Sequence, residues 1–231
     1  MLDRMTSKDT NPGSAPANHK DALIEPRRDY TASTLSHAEL DADPVAQFRV
    51  WLGDARAAKL VDATAMTLAT VDSDSRPHSR VVLLKHATDE GFVWYTFQNS
   101  DKGQQIAARP YAALLFYWCA LERQVRIEGR VETLEPSEAD EYFYSRPEGS
   151  RFSAAASEQS APVDNRAVLE ARVAALREQY PEGNVPRPAA WGGYRLVPDR
   201  YEFWQGRSDR LHDRFEYRGQ AGDWTRQRLQ P

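Results

Sequence analysis

Residues 65–97 read AMTLATV (65–71), DSDSRP (72–77), HSRVVLLK (78–85), HATDE (86–90) and GFVWYTF (91–97). Apolar, β-branched and aromatic residues alternate with small or polar ones in the first, third and fifth pieces. The second and fourth have turn composition. This pattern predicts three strands joined by two turns. Downstream, a short helix is predicted over 102–108, stopped near Pro110. Two strands follow, YAALLFYWC (111–119) and RQVRIEGRVETL (123–134). In the latter Val125, Ile127 and Val131 share one face, while Gln124, Arg126, Glu128 and Arg130 share the other. Helices are predicted over 137–145 and 165–180, the second capped by Asp164. Four further strands complete the chain: GGYRLV (192–197), RYEFWQG (200–206), DRLHDRFEYR (209–218) and DWTRQRL (223–229).

Upstream, Asp43 suits a helix cap and Pro44 the first helical position, with Val45, Phe48, Leu52 and Ala55 at helical spacing. Residues 1–40 are polar and aperiodic and read as a mobile arm, leaving 41–231 as one domain. About nine strands in runs, with two to four helices, predict a mainly β, antiparallel barrel with flanking helices. A doubly wound parallel sheet needs strands that alternate with helices.

Composition narrows the function classes. With 231 residues, 41% of them hydrophobic and 10% aromatic, the chain has ample core material, which excludes wholesale disorder. Its formal net charge of −4 disfavours a general nucleic-acid binder. The longest apolar run, 111–121, falls well short of the ~20 residues that span a bilayer. The first residues lack the apolar stretch of a secretory signal, so a cytoplasmic location is expected. Cys119, the only cysteine, excludes an internal disulfide and reads as a buried core thiol. His19, His37, His78, His86 and His212 show no metal-ligand spacing, and no metal is expected.

Three groups of residues could carry chemistry. In a strand, Arg210, His212 and Arg214 would project to one side, with Trp204 nearby. They form either an anion site or surface ion pairs with Glu202, Asp209, Asp213 and Glu216. Tyr142 and Arg146 lie one helical turn apart; Pro147 then breaks the helix and leaves Ser150 in a turn. Phenol, guanidinium and hydroxyl together suit a phosphate. Lys85 and Lys102, two of only five lysines, follow strand ends. Each group alone is unspecific.

Taken together, RRDYT (27–31), DATAM (62–66), RVVLLKH (80–86), ERQVRIEG (122–129), YFYSRP (142–147), WGGYRL (191–196), EFWQG (202–206) and RLHDRF (210–215) make the chain resemble the pyridoxamine (pyridoxine) 5′-phosphate oxidase family. The resemblance runs from about Arg27 to the C-terminus. It implies a split β-barrel, a homodimer and an FMN site at the subunit interface. Implied FMN contacts are Arg80, Val81, Val82, Leu83, Leu84, Lys85, Tyr95, Thr96, Lys102, Gln124, Gln159, Ser160, Trp204 and Arg214. Implied substrate contacts are Lys85, Tyr142, Arg146, Ser150, Arg210 and His212, the last two at the reacting face. Arg27 and Tyr30 match a segment that closes over the site, so a lid is expected near 27–31.

The implied reaction oxidises pyridoxamine 5′-phosphate and pyridoxine 5′-phosphate to pyridoxal 5′-phosphate, reducing O2 to H2O2. A non-catalytic flavin module, or a split-barrel reductase with another substrate or a deazaflavin, would lack the Tyr142–Arg146–Ser150 and Arg210–His212 groups. Two departures stand out. FSAAASEQS (152–160) lacks the commoner glycine, and Asp101 stands where the family usually has Arg. DKGQ (101–104) is capping-box-like, which predicts that Asp101 caps the helix and points away from the flavin phosphate.

Overall fold

Strand β1 (Ala65–Val71) pairs antiparallel with β2 (Pro77–Leu83) from Ala65↔Leu83 to Val71↔Pro77, across the turn expected from DSDSRP. The computed structural model describes residues 28–231, so the sequence expectation for Arg27 lies outside the described residues. β3 (His86–Thr88) and β4 (Gly91–Phe97) form the next hairpin. β5 (Tyr111–Trp118), β6 (Arg123–Thr133), β7 (Trp191–Gln205), β8 (Asp213–Gln220) and β9 (Asp223–Leu229) complete a nine-stranded sheet. Its order is β2-β1-β5-β6-β7-β4-β3, with β8 on β7 and β9 on β8; every pairing is antiparallel. The fold is the expected mainly β split barrel with flanking helices.

Among the described residues five α-helices flank the sheet: α1 (Pro44–Ala57), α2 (Asp101–Ala108), α3 (Pro136–Ser145), α4 (Glu148–Ala155) and α5 (Arg166–Gln179). α1 starts as its sequence predicts, Asp43 accepting the Val45 and Ala46 N–H groups, and buries Phe48, Trp51, Leu52 and Ala55. The core joins them to Leu68, Phe92, Trp94, Phe116, Val125, Ile127, Tyr201 and Phe203. Phe48 packs against Phe92 and Phe116, each at 4.9 Å between ring centroids. A second cluster of Phe97, Ala139, Phe143, Ala154 and Trp191 anchors α3 and α4 beside β4 and β7.

Several expectations are corrected. The described part of the N-terminal arm is built into the barrel: Leu35 and Leu40 are buried in the core, so the domain begins before residue 41. GGYRLV and RYEFWQG form one strand, β7, because Pro198 falls where the β6 register shifts between Glu128 and Gly129. β8 starts only at Asp213, since Asp209 and Arg210 hold left-handed φ values of 55° and 64°. Arg210, His212 and Arg214 therefore do not share a strand face. Asn165, not Asp164, caps α5. Pro147 starts a new helix, so Ser150 lies in the first turn of α4. Cys119 is exposed, because β5 ends at Trp118 and a one-turn 3₁₀ segment swings it outward.

Candidate active site

A cleft of about 800 Å³ opens between β2, β4 and the helices α2–α4. Arg80, Val81, Val82 and Leu83 enter from β2, Lys85 from its end, Tyr95 and Thr96 from β4, and Lys102 from α2. Tyr142, Arg146, Ser150 and Gln159 line it as well. Twelve positions that the sequence singles out thus meet in one place. Leu84 does not, because its side chain is in the core. Ser160 sits at the rim, where its Oγ accepts the Asp101 N–H at 3.2 Å.

The cations of the cleft are of two kinds. Arg80 is braced from behind: Nη1 donates to Thr70 Oγ1 at 2.6 Å and Nη2 to Gln105 Oε1 at 3.0 Å. Lys102 Nζ donates to Gln159 Oε1 at 2.7 Å, Ser100 Oγ at 3.2 Å and Thr96 Oγ1 at 3.3 Å. Burial pulls both cations below their ordinary pKa; mutual repulsion adds to this at Lys102, and Asp101 opposes it at both. Further along, Arg146 lies over the Trp191 ring at 5.1 Å, and its buried Nη1 has no hydrogen-bond partner among the described residues. Lys85 lies 5.7 Å from the Tyr142 ring, which stacks on Tyr95 at 4.0 Å. A buried, unpartnered guanidinium nitrogen is costly unless an anion meets it.

Asp101 corrects its expectation. Ser100 is the cap residue of α2, without a side-chain cap bond, and Asp101 is the first helical residue. Gln104 donates to the Asn99 carbonyl and does not close a capping box. Asp101 is exposed and does not line the cleft, but its negative charge favours the charged forms of Arg80 and Lys102.

The remaining singled-out residues form a second group elsewhere. Trp204 lies 4.7 Å from His212 between ring centroids, and Tyr30 meets them at 5.8 and 5.5 Å. Arg210 sits over the Tyr30 ring at 5.8 Å, and Gln124 pairs with Trp204 across β6 and β7. His212 Nδ1 accepts the Arg207 N–H at 3.1 Å, which leaves Nε2 as the outward donor of the neutral ring. Burial, then Arg210 and Arg214, lower its pKa, while Asp213 opposes them. The ion-pair alternative holds for Arg214, bound to Glu202 at 2.8 Å, but not for Arg210, which has no such partner among the described residues. Trp191 and Trp204 mark opposite ends of β7, roughly 40 Å apart along the strand at ~3.3 Å per residue.

Residues 52–180 match the family model described as pyridoxamine 5′-phosphate oxidase, and residues 191–231 match the pyridoxine 5′-phosphate oxidase C-terminal dimerisation region. The chain belongs to the pyridoxine/pyridoxamine 5′-phosphate oxidase family. It is 55% identical over 212 residues to the oxidase of that name from Burkholderia ambifaria, covering 90% of this chain and 99% of the relative. The Pseudomonas putida relative is 51% identical over 212 residues, at 91% and 99% coverage. Among solved structures, PhzG from Burkholderia lata, in complex with tetrahydrophenazine-1-carboxylic acid, superposes with a TM-score of 0.80 at 34% identity, covering 86% of this chain and 98% of that one. An FMN-binding protein from Nostoc punctiforme, at 17% identity and a TM-score of 0.65 over 83% and 100% of the chains, shares the fold. Membership in this oxidase family makes the protein an oxidoreductase.

Sequence reasoning gave no role to Trp191, Thr70 or Gln105. Gln105 carried a signal, being polar on the buried face of α2. Trp191 opens the WGGYRL stretch, but nothing in its spacing announced the stack with Tyr95 at 5.5 Å.

Proposed function

We propose that the protein oxidises pyridoxine 5′-phosphate and pyridoxamine 5′-phosphate to pyridoxal 5′-phosphate, with FMN as cofactor and O2 reduced to H2O2. The observation that carries this reading is the set of cations at the cleft. Arg80, Lys85, Lys102 and Arg146 form no ion pair among the described residues, whereas Arg126, Arg187, Arg200 and Arg214 all do. Two donor groups, each with one arginine and one lysine, suit two phosphates. Arg80 and Lys102, with Thr96, Gln159 and Ser160, would hold the FMN phosphate beside the backbone of Val81–Leu84, at the end of β2. Lys85, Tyr142, Arg146 and Ser150 would hold the substrate phosphate, and the orphaned Arg146 nitrogen supports that assignment.

When bound, FMN supplies the two-electron acceptor that dioxygen regenerates. The chain's own work is positioning. Arg146 and Lys85 fix the phosphate end of the substrate. Arg210 and the Nε2–H of His212 orient the end where C4′ reacts. The amine route also consumes water and releases ammonia. Because Gln124, Trp204, Arg210, His212 and Arg214 lie at the far end of β7, we assign them to the cleft of a second copy, giving a cytoplasmic homodimer with two sites.

The test is to purify the protein, count flavin per subunit and follow pyridoxal 5′-phosphate and peroxide together. One FMN per subunit and equal amounts of both products are expected. Turnover of unphosphorylated pyridoxine as fast as its phosphate ester would refute the clamp. A flavin-free protein would refute the reading as a whole.

A further inference from the structure

The segment carrying Tyr30 is gripped from both sides by one side chain. Glu122 is buried, 7% exposed, and holds a left-handed backbone at φ 55°. Its Oε2 accepts the Ala32 N–H at 2.9 Å, and Oε1 faces Arg28 Nη2 at 3.4 Å. Its carbonyl accepts the Gly206 N–H at 2.8 Å, and Gln205 Nε2 donates to it at 3.2 Å. Tyr30 lies between the two gripped residues and presses on the turn that follows Trp204. A Cβ on Gly206 would come within 2.8 Å of the Tyr30 ring, so only glycine fits there. Farther along, the Leu35 N–H is held separately by Asp213 at 3.0 Å.

We propose that Glu122 is the positioning residue that holds Tyr30 closed over Trp204, Arg210 and His212. The carboxylate clamps Arg28 and Ala32 while its own backbone carries the Gly206 turn, so flap and floor share one anchor. The assignment of this end to the reacting face rests on the proposed oxidase function; the clamp itself does not. Around His212 the charged groups are Arg210, Arg214 and Asp213, with Arg228 of β9 lining the same shallow pocket, the Arg207 N–H on Nδ1 and the Tyr30 phenol on the flap. Releasing the flap hydrates the imidazole without changing those charges.

The test compares the wild-type full chain with Glu122→Ala, Glu122→Gln and Arg28→Ala. In Glu122→Ala, amide exchange at Ala32 is expected to accelerate by about tenfold or more, while Leu35 stays protected. By NMR, the His212 pKa should rise toward the ordinary imidazole value, because its burial falls. Glu122→Gln keeps an acceptor for Ala32 and should recover most of the protection. In turnover with pyridoxine 5′-phosphate, the Ala variant should raise KM more than it lowers kcat. If Glu122→Ala does not fold, Arg28→Ala carries the test, with smaller changes in the same directions. Unchanged Ala32 exchange and an unchanged His212 titration in the folded variant overturn the proposal. Both readouts are independent of oxidase activity, so its absence would count against the function and not against the clamp.

Discussion

Arg146 concentrates the argument at the scale of single residues. Arg146 is half-buried beside Phe143 and Trp191, with Nη1 buried and unpartnered among the described residues, so burial disfavours its charge until an anion arrives. Arg146→Ala should therefore act mainly on KM for the phosphate ester, raising it by roughly 10- to 100-fold, the equivalent of one charge-assisted bond of about 1.5–3 kcal/mol. Steady-state kinetics on both substrates read this directly. Asp101 works in the opposite sense. As the first residue of α2 it is favoured by the helix dipole, yet its charge would compete with a phosphate held by Arg80 and Lys102. Asp101→Asn should tighten FMN about fivefold, some 1 kcal/mol, at low salt. The gain should shrink toward 1 M salt, where the Debye length is ~3 Å. Flavin fluorescence quenching measures this, and riboflavin, which has no phosphate, should bind both proteins equally.

At the scale of elements, β7 and β8 are stitched by carboxylates that point out of the core. Glu216 is bound by Arg200 Nε at 2.6 Å, Arg218 Nε at 2.8 Å and Gln227 Nε2 at 2.8 Å, which together hold its pKa down to about 2. A carboxylate depressed in the folded state stabilises above its unfolded pKa, and that contribution is lost as pH falls through the folded one. The window runs from about 4.5 to about 2. Glu216→Gln should lower stability at neutral pH by about 3 kcal/mol and flatten the acid limb, as urea melts across pH would show. The same strands mark what the sequence can and cannot disclose. Alternation at Val125, Ile127 and Val131 announces β6 because one face is buried. The left-handed pair Asp209–Arg210 has no such announcement, since neither residue is glycine. α4 was hidden for a related reason: Pro147 ends one helix and opens the next.

For the whole molecule, residue types alone single out Lys85, Lys102, Tyr142, Arg146 and Ser150, and the resemblance adds Arg80 to Leu83, Tyr95, Thr96 and Gln159 to the residues that line the cleft. Periodicity places Arg80, Tyr95 and Lys102 on their elements and says nothing of their convergence with Tyr142, Arg146 and Gln159. That convergence depends on β4 pairing with β7, a contact between segments about a hundred residues apart. Nor does local pattern reveal that one chain splits its singled-out residues between the two ends of β7. On the proposed reading, a working site takes its cleft from one chain and its Arg210–His212 end from another. Mixed dimers of Arg146→Ala and Arg210→Ala, formed by co-refolding equal amounts, test it most directly. Assayed with substrate well below the wild-type KM, each variant alone should be nearly inactive, whereas the mixture contains heterodimers in which one of two sites has both arginines. Recovery of about a quarter of wild-type activity is predicted from random pairing. A mixture no more active than its components, with heterodimers demonstrably present, would contradict the account.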